Sequence, residues 1–209
     1  TKTIGPIAIN GSFYYVSTPN GIFRSADNGS TWTKIVVGYD SFFYVYALAD
    51  SVIFAGNNYY GLSGHGIFKS TDNGITWINP TSLIGEVKNI QIVGTTIYAG
   101  TFGNYLYKST NNGTTWTVID KLNNGLTSEY VVSLANIGTT VFAGLWGGSR
   151  DGGVNRSTDN GQTWTPLTKY PWDVKSMIAH GSTLYATGYY EGVYCSADGG
   201  TTWKYAGLR

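Results

Sequence analysis

The sequence predicts an all-β protein assembled from five repeated units, each made of four antiparallel strands. An octapeptide of the pattern Ser-x-Asp-x-Gly-x-Thr-Trp occurs five times, at 25–32, 70–77, 109–116, 157–164 and 196–203. Successive copies are 45, 39, 48 and 39 residues apart, as counted between Trp32, Trp77, Trp116, Trp164 and Trp203. The chain is 15% aromatic and only 12% charged, with 29 glycines, a composition typical of turn-rich β-structure.

Each repeat has room for four strands, and the octapeptide falls between the third and the fourth. In the fourth repeat the strands are expected at 130–135, 140–144, 153–157 and 163–167. Repeats of about 40–50 residues with this content are the blades of a β-propeller. A small residue at the end of each second strand, such as Gly144, would let the inner part of a wedge-shaped blade pack closely. No stretch shows helical periodicity over a full window.

One domain, 1–209, is therefore expected, with blades at approximately 1–38, 39–80, 81–122, 123–168 and 169–209. The chain begins with a first strand and ends just after a fourth. Two arrangements are consistent with this order of strands: a five-bladed ring closed by blade-to-blade contact, or part of a larger array.

The octapeptide is interpreted as a structural turn. Its Asp can accept hydrogen bonds from backbone amides two or three residues on, its Gly tolerates positive φ, and its Trp can pack beneath the turn. In the third copy Asn111 replaces this Asp and keeps the acceptor oxygen without the charge, which argues against acid–base chemistry. No catalytic residue is assigned, and the structural positions are Asp27, Trp32, Asp72, Trp77, Asn111, Trp116, Asp159, Trp164, Asp198 and Trp203.

These copies resemble Asp-box repeats, also called BNR repeats, over essentially the whole chain. Proteins with this repeat include sialidases, xyloglucan-degrading glucanases, sortilin-type receptors and propellers similar to photosystem II assembly factors. The resemblance implies a β-propeller with the box on the face away from the usual ligand site. It also suggests a bacterial protein that is secreted or held at the cell surface. It does not imply one activity, because function resides in loops rather than in the fold.

Aromatic residues are concentrated in the loops that this topology places away from the boxes. Flat rings beside Asn, Asp and Gly suit sugar rings, and they also suit a protein or peptide partner. We therefore expect a non-catalytic recognition module that binds a glycan or a protein ligand on this face. The candidate ligand-binding residues are Tyr59, Tyr60, Phe102, Tyr105, Trp146, Arg150, Asp151, Trp172, Tyr189 and Tyr190.

Two enzymatic functions were compared with this expectation. Of the four arginines, Arg24 and Arg156 adjoin boxes and Arg209 is terminal, which leaves no arginine triad of the sialidase kind. A glycoside hydrolase needs two carboxyl groups about 5–10 Å apart across a cleft. Sequence alone cannot pair the loop carboxyl groups, so hydrolysis of a polysaccharide stays as the alternative; the candidates are Asp40, Asp120, Glu129, Asp151, Asp173 and Glu191.

Other classes of function lack support in the sequence. A net charge of +1 with scattered basic residues does not suit nucleic acid. No apolar run reaches the roughly 20 residues that span a bilayer. His65 and His180 have no metal-ligand spacing around them, and neither a metal nor a cofactor is expected. Cys195 takes a strand position where other repeats carry Arg or Lys, and it is interpreted as structural.

Overall fold

The computed structural model describes residues 7–35, 43–47, 52–57, 66–79, 85–147, 151–167, 171–188 and 192–207. The chain divides into two compact units, 1–87 and 88–209. The prediction of an all-β fold of antiparallel strands is confirmed. The strands are β1 (Ile7–Asn10), β2 (Phe13–Thr18), β3 (Gly21–Ser25), β4 (Thr33–Ile35), β5 (Phe43–Ala47), β6 (Ile53–Asn57), β7 (Ile67–Ser70), β8 (Glu86–Val93), β9 (Thr96–Phe102), β10 (Leu106–Ser109), β11 (Thr117–Ile119), β12 (Tyr130–Ile137), β13 (Thr140–Trp146), β14 (Gly153–Ser157), β15 (Thr165–Pro166), β16 (Val174–His180), β17 (Thr183–Gly188), β18 (Gly192–Ser196) and β19 (Lys204–Gly207).

The first unit contains two antiparallel sheets that follow the chain. One has the order β1-β2-β3-β4 and the other the order β5-β6-β7. In the second sheet an isolated bridge between Lys69 and Ile78 takes the place of a fourth strand, with N···O distances of 2.8 and 2.9 Å. The core of this unit is an apolar cluster of Tyr15, Ile22, Ile35, Ile53, Ala55 and Phe68.

The second unit contains an eight-stranded sheet and a four-stranded sheet. Strands β8 to β11 and β12 to β15 each pair in chain order, and the Tyr130–Phe102 pair joins the two sets into one sheet. The remaining strands form the sheet β16-β17-β18-β19. Two buried clusters fill this unit, one around Tyr98, Leu134 and Trp164, the other around Phe142, Val174 and Leu184.

In three repeats, a glycine in the second strand lets the first strand of the following repeat approach closely. A Cβ on Gly56 would lie 2.6 Å from Val87 Cβ, and one on Gly100 would lie 2.8 Å from the Val131 carbonyl oxygen. A Cβ on Gly144 would lie 2.5 Å from Val174 Cγ1. Real carbon contacts lie at about 3.5–4.0 Å, so only glycine fits at these positions.

A short helix, α1 (Lys121–Asn124), follows β11 and was not predicted from the sequence. Asp120 caps its N-terminus by accepting a hydrogen bond from Asn123 N at 2.7 Å, and Gly125 ends it with φ 83°. The Asn124 carbonyl accepts a 2.8 Å hydrogen bond from Trp164 N. The helix therefore attaches the connection between two repeats to the fourth octapeptide.

Candidate functional site

Each octapeptide forms the turn after a third strand, and the four copies with Asp share the same core of internal hydrogen bonds. In the fourth copy, Ser157 Oγ donates to Asp159 Oδ1 at 2.8 Å and accepts from Gly161 N at 2.8 Å. Thr163 N donates to Asp159 Oδ1 at 2.9 Å, and the Thr163 hydroxyl donates to Asp159 Oδ2 at 2.5 Å. Every bond spans two to four residues, so the turn closes on itself.

The Asp carboxylates of these turns are acceptors that stay ionised. Hydrogen bonds to the carboxylate, first of all the one from the Thr hydroxyl, lower the pKa of each Asp to about 2. A group held ionised in this way is a poor general acid. The affected residues are Asp27, Asp72, Asp159 and Asp198.

Three of the turns, the second, fourth and fifth boxes, also contact the repeat before them. The fourth residue of the box has a left-handed backbone, as in Asn160 with φ 57°, and this turns its carbonyl outward. Lys108, the residue before the third box, donates from Nζ to the Asn160 carbonyl at 2.5 Å. Tyr98 OH donates to Asn160 Oδ1 at 2.8 Å, and burial of Tyr98 raises its pKa to about 12.

The same contact recurs at two other junctions. Arg24 donates from Nη1 to the Asn73 carbonyl at 2.8 Å, and Arg156 does so to the Gly199 carbonyl at 3.3 Å. Cys195 holds the corresponding position in the fifth repeat as a half-buried free thiol. At these three junctions, the basic residue before a box therefore links one repeat to the next.

Trp164 departs from the pattern of the other box tryptophans. The indole Nε1 of Trp77 donates to the Gly74 carbonyl at 3.1 Å, and the other three tryptophans make the equivalent bond. Trp164 is 4% exposed, and its Nε1 is buried without a hydrogen-bond partner. Its ring belongs to an apolar cluster with Leu126, which lies just after helix α1.

At the other end of the strands, three rings form a cluster that we call the aromatic patch: Phe102, Tyr130 and Trp146. Phe102 and Trp146 stack with centroids 5.4 Å apart and an interplanar angle of 27°. Tyr130 contacts both, with centroids 4.7 Å from Phe102 and 5.3 Å from Trp146. Lys88 Nζ lies over the Phe102 ring, 5.4 Å from its centroid.

The strand register separates the aromatic patch from the box. On β13, Val141 pairs with Ser157 at the box end, whereas Trp146 pairs with Tyr130 at the other end. Five residues at about 3.4 Å each put these ends roughly 17 Å apart. Within this repeat, the patch therefore lies at the end of the strands opposite the box.

Neighbouring groups hold the backbone of the patch in place. Ser128 Oγ donates to the Trp146 carbonyl at 2.6 Å, and Asp173 Oδ1 accepts from Gly147 N at 3.0 Å. The Glu129 carbonyl accepts from Tyr105 N at 2.9 Å and from Gly103 N at 3.2 Å. Tyr105 has φ 63°, an uncommon backbone for an aromatic residue, and it shapes the turn after Phe102.

The structure brings together two of the sequence-predicted ligand residues, Phe102 and Trp146. Tyr130 and Lys88 also contact Phe102 and were not among the predicted residues, although the expected start of a first strand at Tyr130 was a usable signal. The backbone of Asp151 lies close to Gly147, and its exposed side chain pairs weakly with that of Lys121 at 3.7 Å. Trp172 is half-buried just before β16. Tyr59, Tyr60, Arg150, Tyr189 and Tyr190 lie outside the described residues, as do Asp40, Glu191 and His65.

No group of three or more His, Cys, Asp or Glu side chains in the described part of the chain is placed to hold a metal ion. His180 is exposed at the end of β16. No helix among the described residues has the length and hydrophobicity to cross a membrane.

Comparison with known proteins places the repeat and the fold. The model of the BNR/Asp-box repeat matches residues 156–166. No curated protein matches the sequence. YCF48 from Cyanidioschyzon merolae is similar in structure, with a TM-score of 0.68 at 15% identity over 97% of this chain and 71% of that one. The structure of YCF48 bound to D1 peptide has a TM-score of 0.69 at 17% identity, over 97% of this chain and 66% of that one.

Two larger proteins also contain a similar structure. The extracellular domain of the putative hybrid two component system BT4673 from B. thetaiotaomicron has a TM-score of 0.76 at 14% identity, over 98% of this chain and 28% of that one. The GH74 xyloglucanase from Xanthomonas campestris has a TM-score of 0.66 at 16% identity, over 91% and 29%. This chain thus spans less than a third of either protein. This chain therefore contains a BNR/Asp-box repeat, and its fold is similar to the folds of these proteins.

Proposed function

We propose that this protein is a five-bladed β-propeller that serves as a non-catalytic recognition module, secreted or held at the cell surface. Its ligand, a glycan or a protein segment, binds at the aromatic patch. The observation that carries this proposal is the exposed ring of Trp146, which is 39% exposed although it stacks on Phe102.

The patch has the physical properties of a binding surface. Tryptophan in the centre of a cluster supplies a large apolar area with little conformational freedom to lose. The hydrogen bonds of Ser128 and Asp173 fix the peptide group between Trp146 and Gly147 before any ligand arrives. Preorganisation of this kind raises affinity because less entropy is lost on binding. Lys88 adds a positive charge at the rim, which favours an acceptor-rich or anionic ligand group.

The structural comparisons support both kinds of ligand. One similar structure, YCF48, holds a D1 peptide, and another is a xyloglucanase. An extracellular domain is also among the similar structures, which supports a secreted or surface location. At 14–17% identity these likenesses support the fold, and binding experiments identify the ligand.

Polysaccharide hydrolysis is the alternative that the likeness to the xyloglucanase favours. Two of its candidate carboxyl groups already have structural partners. Asp173 accepts the hydrogen bond from Gly147 N, and Asp151 pairs with Lys121. These contacts favour recognition over catalysis.

The test combines a glycan array, a peptide array and a reducing-sugar assay on the same glycan panel. Trp146→Ala should weaken binding of the best ligand about 10- to 100-fold, equivalent to about 1.4–2.8 kcal/mol. Tyr205→Ala is the matched control, because Tyr205 is 45% exposed and also packs on another ring, Tyr194, at 5.5 Å. It should leave binding unchanged.

Two results would contradict the proposal. Equal binding by the Trp146 and Tyr205 variants would show that the aromatic patch is not the ligand site. Release of reducing sugar by the wild type that stops in Asp151→Asn would establish an enzyme instead.

A further inference from the structure

A cavity of about 310 Å³ lies on the box side of the second unit, away from the aromatic patch. Its walls come from β10 and β11, from the third and fourth boxes and from helix α1. Three threonines, Thr110, Thr115 and Thr117, line it together with Lys108 and Asn124, and Val118 adds an apolar surface. A volume near 300 Å³ is at the small end of ligand pockets.

The third box, which borders this cavity, is the one with Asn in place of Asp. In the other four boxes the Thr hydroxyl donates its proton to the Asp carboxylate at 2.5–2.6 Å. In the third box the direction is reversed: Asn111 Nδ2 donates to Thr115 Oγ1 at 2.8 Å. The amide orientation is fixed, because Asn111 Oδ1 accepts from Ser109 Oγ at 3.0 Å and from Thr115 N at 2.9 Å.

This reversal changes what Thr115 offers to the cavity. A hydroxyl has one proton to donate, and in the Asp boxes the carboxylate takes it. In the third box Thr115 Oγ1 is an acceptor, so its proton is left to donate to another group. The exchange also removes a carboxylate charge from beside the cavity.

Lys108 gives the cavity wall a cation as well as hydrogen-bond donors, and the ionised Asp159 accepts a hydrogen bond from Gln162 N in the same wall. Its ammonium group has three protons, and the hydrogen bond to the Asn160 carbonyl uses one of them. Among the described lining residues there is no Asp or Glu. The groups available to a ligand are therefore an ammonium, threonine hydroxyls and an apolar surface at Val118, which is 43% exposed.

We propose that this cavity binds a small hydroxylated anion, about the size of a monosaccharide that carries a carboxylate or phosphate group. Lys108 and Thr115 hold the anionic group, and Thr110 and Thr117 bond the ligand's hydroxyls. The C–H face of the ligand packs on Val118. Asn111 is a positioning residue, since it acts on the ligand through the Thr115 hydroxyl.

The test is titration of the labelled protein with glucuronate, glucose 6-phosphate and glucose, followed by NMR chemical shifts. At least one of the two anions should bind at least tenfold more tightly than glucose, with shifts at Thr115 and Thr117. A preference for glucuronate would identify a carboxylate site, and a preference for the phosphate a phosphate site. Asn111→Asp should weaken anion binding at least tenfold, because it returns the Thr115 proton to a carboxylate and adds a like charge.

The controls separate binding from folding. Asn111→Asp gives the third box the residue found in the other four, so the fold should persist. Asp198→Asn makes the reverse exchange in a box that does not line this cavity, and should leave binding unchanged. Lys108→Gln is a second binding variant, and it should also lose at least tenfold. Absence of binding to both anions, equal binding of glucose, or unchanged binding by Asn111→Asp would overturn the proposal.

Discussion

Replacement of Gly144 by Ala tests how closely the repeats pack. A Cβ at this position would lie 2.5 Å from Val174 Cγ1, 3.2 Å from Val174 Cβ and 3.4 Å from Ser133 Cβ. The first distance is roughly 1 Å shorter than a normal carbon contact. Val174 is 1% exposed and branched at Cβ, so rotation of its side chain brings another methyl group into a full core.

The cost of this overlap follows from known overpacked cores. Inserting one methyl group where the neighbours cannot withdraw destabilises a protein by about 1–3 kcal/mol. For a chain of 150–250 residues, each kcal/mol lowers Tm by about 2–4 °C. Gly144→Ala should therefore lower Tm by about 2–12 °C.

A double-mutant cycle with Val174→Ala distinguishes the overlap from a general loss of stability. Val174→Ala alone removes two buried methyl groups and should cost about 1–3 kcal/mol. In the double variant the closest overlap is gone, so its loss should be smaller than the sum of the single losses by about 1 kcal/mol or more. Thermal and urea unfolding of the four proteins give these values.

Gly138→Ala is the matched control, because φ is +58° there and no atom lies within 4 Å of the added Cβ. It should cost only the left-handed strain of about 1–2 kcal/mol and should be additive with Val174→Ala. Gly144→Ala within about 0.5 kcal/mol of the wild type, or an additive cycle with Val174→Ala, would refute the role assigned to this glycine.

Three further predictions concern the boxes and their contacts. Four box carboxyl groups have a pKa lowered from 3.8 to about 2 in the folded protein, namely Asp27, Asp72, Asp159 and Asp198. The stability that they contribute is complete above pH 3.8 and is lost as the pH falls toward 2, so Tm should drop across that window. A Tm that stays constant between these pH values would contradict the prediction. Burial raises the pKa of both the Tyr98 and the Tyr15 phenol to about 12, so these tyrosines should ionise late in an absorbance titration, and Tyr98→Phe should reduce the amplitude of the late step; an unchanged amplitude in Tyr98→Phe would contradict the assignment of Tyr98 to it. Stability from this raised pKa is complete below 10.0 and is lost as pH rises through about 12. Arg156→Gln should lose the bond to Gly199 and about 1 kcal/mol in urea unfolding, whereas an unchanged midpoint would mean that this contact contributes nothing.

The octapeptide could be predicted from sequence because its chemistry is local. Every hydrogen bond in the Ser157–Asp159–Thr163 network joins residues two to four positions apart. Such a network depends on residue order alone, so repetition of the order predicts repetition of the turn. The second-strand glycines could be predicted for a similar reason, since Gly144 has the same place in its repeat as Gly56 and Gly100.

The aromatic patch could be predicted only in part, because it depends on register between strands distant in the chain. Phe102 and Trp146 end two second strands, and Tyr130 pairs with both. The pairing of Tyr130 with Phe102 joins one repeat to the next, and no local pattern sets it. Helix α1 escaped prediction because four residues are too few for a helical period to appear.

The repeat pattern alone does not predict the cavity, and two residues that depart from the pattern lie at or near it. Asn111 looks like a tolerated substitution while the box is considered alone, because the amide oxygen keeps the two bonds that close the turn. Its effect is on the third bond, where it makes Thr115 an acceptor. Trp164 is the other departure, and it contacts helix α1, which forms part of the same cavity wall. Four boxes with Asp show that the turn does not require Asn, so the local fold gives no reason for the exchange. The proposed anion site gives it one, because Asn111 leaves the Thr115 hydroxyl proton to the cavity.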